Sequence, residues 1–132
     1  YRPGTYIYFD RYQVAKGAAT LDDCALTVLS TIVSHPTADR AIIDAGSKSL
    51  SSDTLGLADF GELAGKPEAR VTGLSEEHGT LKGDLAGLKI GDKVRVIPDH
   101  VCVVSNLFDE VHLISGDDVI DILPVAARGK LQ

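Results

Sequence analysis

The chain has 132 residues, 44% of them hydrophobic and 24% charged, which describes one globular domain and excludes a disordered chain. A net charge of −6 excludes a broad basic footprint for nucleic acid. The longest apolar runs, such as 101–104, are far too short to span a bilayer, so no membrane partner is expected.

In chain order, residues 5–9 (Thr-Tyr-Ile-Tyr-Phe) follow a Pro-Gly turn and are aromatic and β-branched, which predicts a strand. Residues 11–23 are polar and mixed and read as a loop. The apolar, β-branched stretch 24–34 alternates Leu26, Val28 and Ser30 with Thr27, Leu29 and Thr31, which predicts a long strand ended by His35-Pro36. A short strand follows over 40–44, closed by Ala45-Gly46. Residues 47–68 are rich in Ser and Gly and read mostly as loop. Strands are predicted over 68–74 and 79–82. A turn at 90–92 feeds an alternating strand with Val94 and Val96 on one face, and a second apolar strand starts near Val101. Residues 110–115 and 119–124 flank Gly116-Asp117-Asp118, a hairpin pattern. With no sustained helical periodicity, the chain reads as mainly β, an antiparallel barrel or sandwich.

The sharpest chemical feature is Pro98-Asp99-His100-Val101-Cys102. On a strand, residues i and i+2 share a face about 6.6 Å apart, so both side chains can converge on one ion. Imidazole with thiolate is a borderline-soft donor pair suited to zinc, and two protein ligands leave coordination positions open. The bland alternative is a strand start with a core cysteine. Ser75-Glu76-Glu77-His78-Gly79 gathers two carboxylates and an imidazole in a turn, where they serve acid–base chemistry or stand simply solvated. His35 and His112 read as structural, and Cys24 has no evident partner. Lys48 shows no sign of a desolvated Schiff-base lysine. Ser52-Asp53 lacks an adjacent histidine for a triad. No P-loop or dinucleotide glycine pattern occurs. Two cysteines without a secretory signal do not make a disulfide framework and suit a reducing, cytoplasmic setting.

The ordered set Arg2-Pro3-Gly4-Thr5-Tyr6, Asp44-Ala45-Gly46-Ser47-Lys48, Ser75-Glu76-Glu77-His78-Gly79, Pro98-Asp99-His100-Val101-Cys102 and Ala127-Arg128-Gly129-Lys130 resembles the C-terminal domain of the D-threonine aldolase and D-serine dehydratase family. These are fold-type III pyridoxal 5′-phosphate enzymes similar to alanine racemase. The resemblance covers nearly all of residues 1–132. It implies a single C-terminal β domain of a larger TIM-barrel-plus-β enzyme, whose N-terminal barrel carries the cofactor lysine. Lys48 is then not that lysine. The absence of methionine and the Tyr1 start fit a piece cut from a longer protein or a matured product.

The resemblance further implies a divalent metal at His100 and Cys102, zinc in the cysteine-containing branch, beside pyridoxal phosphate. His78 and Tyr6 become candidate catalytic residues. The implied activity is a lyase acting on a D-3-hydroxy amino acid, in a homodimer, with the isolated domain inactive. Two readings of another class stand beside it: a metal-free binding or oligomerisation module, and a standalone zinc-binding regulatory domain.

Overall fold

The computed structural model describes residues 4–130. Six strands close into an antiparallel barrel: β1 (Val28–Thr37), β2 (Arg40–Ile43), β3 (Glu62–Leu63), β4 (Lys66–Leu74), β5 (Gly79–Lys82) and β6 (Lys93–Ile97). Their order around the barrel is β1-β2-β5-β4-β3-β6. A hairpin of β7 (Glu110–Ser115) and β8 (Asp118–Pro124) forms a separate sheet. Three short helices complete the described residues: α1 (Arg11–Ala15), α2 (Ser47–Leu50) and α3 (Val101–Ser105). None of them is long and apolar enough to cross a membrane. The mainly β expectation holds, and closure decides for a barrel over a sandwich.

Alternation explains the barrel strands. Val28, Ser30 and Ile32 of β1 point inward, while Leu29 and Val33 face out. Val28 pairs with Val96 and Ser30 with Val94, so the inward faces of β1 and β6 coincide. Ile32, Ala41, Ile43, Ala69, Val71, Leu81 and Val96 are fully buried inside the barrel. Burying one such Val, Leu or Ile contributes about 1.5–3 kcal/mol.

Four expectations need correction. Residues 5–9 are not a strand: Thr5–Ile7 is a 3₁₀ turn in which Ile7 N donates to Gly4 O and Tyr8 N to Thr5 O. No neighbouring strand pairs with it, and Tyr6 and Ile7 stay exposed. Residues 11–23 contain α1, capped by Asp10, and a 3₁₀ turn Leu21–Asp23 capped by Thr20. His35-Pro36 does not end β1, which runs on to Thr37 and pairs with Arg40; the ladder is irregular between Ser34 and Thr37, where proline lacks a donor. The segment at Val101 is helix α3, with Val101 and Val104 buried at helical spacing. Residues 47–68 are mostly loop as expected, but they include α2 and β3. The strands at 40–43, 66–74, 79–82 and 93–97 and the terminal hairpin follow expectation.

The β7–β8 hairpin turns through Gly116 at φ +62°. Its apolar side chains Leu113, Ile114, Val119, Ile120, Ile122 and Leu123 are exposed. Arg95 ties the tip to β6, donating to Gly116 O (3.1 Å) and Asp117 Oδ1 (3.2 Å). A lone two-stranded sheet is marginal in water, so this one leaves apolar surface uncovered.

Asp44 locks β1 to the end of β2. It accepts from Ser30 Oγ and Thr31 N, each at 2.7 Å. Burial alone raises its pKa, but the hydrogen bonds from Thr31 and Ser30 and the charge of Lys93 outweigh that and hold it below the usual carboxylate range. A depressed folded pKa gives stability above the unfolded pKa that is lost as pH falls through the folded one. Asp44→Asn is expected to cost about 1 kcal/mol near neutral pH by urea unfolding. Its gap to wild type should narrow progressively as pH falls below the ordinary carboxylate range and through the lowered folded pKa. A gap that does not narrow contradicts this role.

Candidate functional site

The turn carrying His100 and Cys102 leaves β6 through two buried residues, Pro98 and Asp99. His100 is the N-cap residue of α3, with extended backbone (φ −134°, ψ 92°) and no capping bond from its own side chain. Its Nδ1 instead lies 2.8 Å from Asp53 Oδ2. Cys102 sits in the first turn of α3 and is exposed, its Sγ 3.2 Å from Thr5 Oγ1. The shared-strand-face argument for these two residues therefore fails. An extended residue followed by a helical turn sets their relation instead.

Asp53 reaches His100 because the chain after α2 is folded by its own side chains. Ser51 takes φ +65°, its Oγ accepts from Asp53 N at 3.0 Å, and Asp53 Oδ1 accepts from Leu55 N at 3.2 Å. That leaves Oδ2 for the imidazole. The His100 hydrogen bond, followed by that of the Leu55 amide, lowers the Asp53 pKa. With Nδ1 engaged, Nε2 is the ring nitrogen left for another partner. Sequence reading set Asp53 aside for want of an adjacent histidine. Its histidine is 47 residues away, and only the Ser/Asp-rich turn hints at an oriented carboxylate.

Two other motifs form one unit. Ser47 N donates to Ser75 O at 2.9 Å and Lys48 N to Glu76 O at 3.2 Å. Lys48 Nζ reaches Glu77 Oε1 (2.5 Å) and Glu76 Oε2 (3.1 Å). Hydrogen bonds donated to Glu77 and then to Glu76 raise the Lys48 pKa, the opposite of a lysine primed as a nucleophile. His78 is exposed in the turn between β4 and β5, and its backbone closes that turn on Ser75. Among the described residues its imidazole has no hydrogen bond to His100, Cys102 or Asp53. Tyr6 is 61% exposed and fills no core. Arg2 and Pro3 of the first motif lie outside the described residues. Arg128 of the last motif reaches Leu107 O (3.3 Å) and Asp109 (3.1 Å), beyond α3.

The remaining histidines and cysteine sit apart. His35 Nδ1 lies 3.2 Å from Leu88 O, and His112 Nε2 lies 3.3 Å from Glu110. Burial, with Asp10 and Asp23 adding, pushes the Cys24 thiol up to about 11. As a donor set, one imidazole nitrogen and one exposed thiol fit a borderline-soft ion such as Zn²⁺ at an open site. Among the described residues no group of three or more His, Cys, Asp or Glu gathers to hold a metal, so no closed structural cage exists there.

Comparison with known proteins adds independent findings. The family model described as "Putative serine dehydratase domain" matches residues 25–114. The chain is 40% identical over 128 residues to an uncharacterised protein of Mycobacterium tuberculosis, covering 92% of this chain and 96% of that protein. It is 32% identical over 133 residues to the D-serine dehydratase of Dictyostelium discoideum, covering 89% of this chain but 34% of that enzyme. A D-threonine aldolase from Filomicrobium marinum superposes with a TM-score of 0.82 at 28% identity, over 99% of this chain and 36% of that one. A D-threo-3-hydroxyaspartate dehydratase from Delftia gives a TM-score of 0.81 at 26% identity, over 92% and 37%. Solved variants of an enzyme with that name replace a histidine and a cysteine two positions apart, and the cysteine variant is described as metal-free. The chain thus spans about a third of these enzymes.

The contact between the two motifs is sharply testable at Gly46. A Cβ there falls 2.4 Å from Glu76 O and 2.5 Å from His78 N, both backbone atoms that cannot step aside. Gly46→Ala should destabilise the chain by about 2–3 kcal/mol in urea. An unchanged midpoint contradicts the packed geometry.

Proposed function

Because the chain belongs to the serine dehydratase domain family, we propose that it is the metal-binding C-terminal domain of a pyridoxal-phosphate-dependent lyase acting on a D-3-hydroxy amino acid. The observation that carries this reading is the arrangement at 100–102. His100 is oriented through Nδ1 by a carboxylate, with no partner on its other nitrogen among the described residues, two residues before an exposed cysteine. A carboxylate behind a histidine is the usual support of a metal ligand. The His-x-Cys spacing equals that of the pair replaced in the solved dehydratase variants.

When bound, pyridoxal phosphate supplies the electron sink for a bond broken at Cα, and a divalent ion supplies Lewis acidity at the β-hydroxyl. The residues of this chain prepare the site. Asp53 fixes the tautomer and plane of His100. Thr5 holds the Cys102 sulfur, which would serve as thiolate. Acid–base work is assigned to His78, and a weaker contribution to Tyr6. The cofactor lysine belongs to an N-terminal barrel partner, and the uncovered face of β7–β8 is surface that such a partner would bury. A homodimer in the cytoplasm completes the proposal. The mycobacterial relative, of which this domain covers 96%, favours a second reading as a free-standing zinc-binding module. An upstream barrel-sized segment with a cofactor lysine in the parent gene separates the two.

In that parent enzyme, His100→Ala or Cys102→Ala should remove stoichiometric zinc and most turnover of D-serine, D-threonine or 3-hydroxy-D-aspartate, leaving pyridoxal phosphate bound. Full activity of both variants after chelation contradicts the metal assignment. The 132-residue chain alone should show no turnover.

A further inference from the structure

The turn at 98–102 is gripped by a segment some ninety residues earlier in the chain. Arg11 N donates to Pro98 O at 3.1 Å, and Tyr12 N to Asp99 O at 3.4 Å. The Arg11 guanidinium pairs with the Asp99 carboxylate, and Thr5 Oγ1 lies against Cys102 Sγ. At the centre is Asp10, which is fully buried. Its Oδ1 accepts from Gln13 N at 3.0 Å, capping α1, and its Oδ2 accepts from Val101 N at 3.0 Å.

That second bond answers a need at the start of α3. The first N–H groups of a helix lack partners, and a side chain at the N-cap normally takes one of them. The N-cap of α3 is His100, whose ring is turned away to Asp53. Val101 directly follows the N-cap, so an N-cap side chain would not reach its N–H in any case, and that group is satisfied from outside, by Asp10. One carboxylate caps two helices, using one oxygen for each.

We propose that Asp10 is the positioning residue of the His100–Cys102 turn: by holding the first N–H of α3 it fixes where that helix starts and so how the imidazole and the thiol are presented to a ligand. The function of these groups rests on the metal reading above; the positioning itself does not. The chemistry makes a sharp distinction. Asn has nearly the shape of Asp but only one acceptor oxygen, so Asp10→Asn must leave one of the two N–H groups without a partner. Ser is a good N-cap for its own helix but too short to span to α3, so Asp10→Ser keeps the α1 cap and drops only the Val101 contact.

The test uses the 132-residue chain with three readouts: amide hydrogen exchange at Gln13, Val101 and Cys102 against the barrel amides of Val96 and Leu81, alkylation of Cys102 by iodoacetamide, and Co²⁺ titration followed by thiolate charge-transfer absorption. Cys24 reacts slowly because its thiol is held up to about 11. Asp10→Ser should exchange Val101 at least tenfold faster, alkylate Cys102 at a changed rate and bind Co²⁺ at least tenfold more weakly, with the barrel amides unchanged; Asp10→Asn should release either Val101 or Gln13 to the same degree. Wild-type protection at Val101 in Asp10→Ser, or at both Val101 and Gln13 in Asp10→Asn, overturns the proposal. So does equal acceleration of the barrel amides, which marks a general loss of stability. Absence of Co²⁺ uptake by wild type, with Val101 still released by Asp10→Ser, upholds the positioning role independently of the metal reading, which the parent enzyme decides.

Discussion

One buried guanidinium joins the parts of this domain that matter for its site. Arg11 contacts Asp59 of the loop after α2, Glu62 of β3 and Asp99 of the ligand turn. Arg70 of β4 meets the same Glu62 oxygen, Oε2, that Arg11 contacts. Burial opposes the charge on Arg11, but Asp99, Asp59 and Glu62 outweigh it and its pKa is raised. Burial pushes Asp99 up to about 6 against the pull of Arg11. Its ionised form therefore costs stability as pH rises through that value, and Arg11 limits the cost. Among the described residues Asp99 Oδ2 and Glu62 Oε1 are buried without a partner, so the cluster leaves two acceptors unsatisfied. Removing a partner from such a cluster typically costs about 3–5 kcal/mol, because a charge stays behind.

The barrel was legible where one face of a strand is buried and the other is wet. Val28/Ser30/Ile32 and Val94/Val96 alternate because the pleat sends successive side chains to opposite sides. Composition without periodicity misled. Tyr6 and Ile7 suit a strand, yet no strand edge lies beside them and a 3₁₀ turn results. The run Val101-Cys102-Val103-Val104 is β-branched, but its buried members are Val101 and Val104, three apart, on one side of a helical turn. Asp10-x-x-Gln13 and Thr20-x-x-Asp23 carried helix-start signals that polarity concealed.

The candidate site divides the same way. His100 and Cys102 are neighbours in the chain and could be seen as a pair. The residues that orient them, Asp53 and Asp10, are 47 and 91 residues from their contacts, and closure of the barrel brings them there. No local spacing carries that information. The exposed Leu, Ile and Val side chains of the terminal hairpin are a further product of tertiary structure: alternation predicted the strands but not that neither face would be covered.

The central claim is that His100 and Cys102 bind one divalent ion at an open site. X-ray absorption at the zinc edge of the parent enzyme tests it most directly. One sulfur at about 2.3 Å together with nitrogen or oxygen neighbours at about 2.0–2.2 Å is the expected shell. A shell with no sulfur, or one with four, contradicts the account.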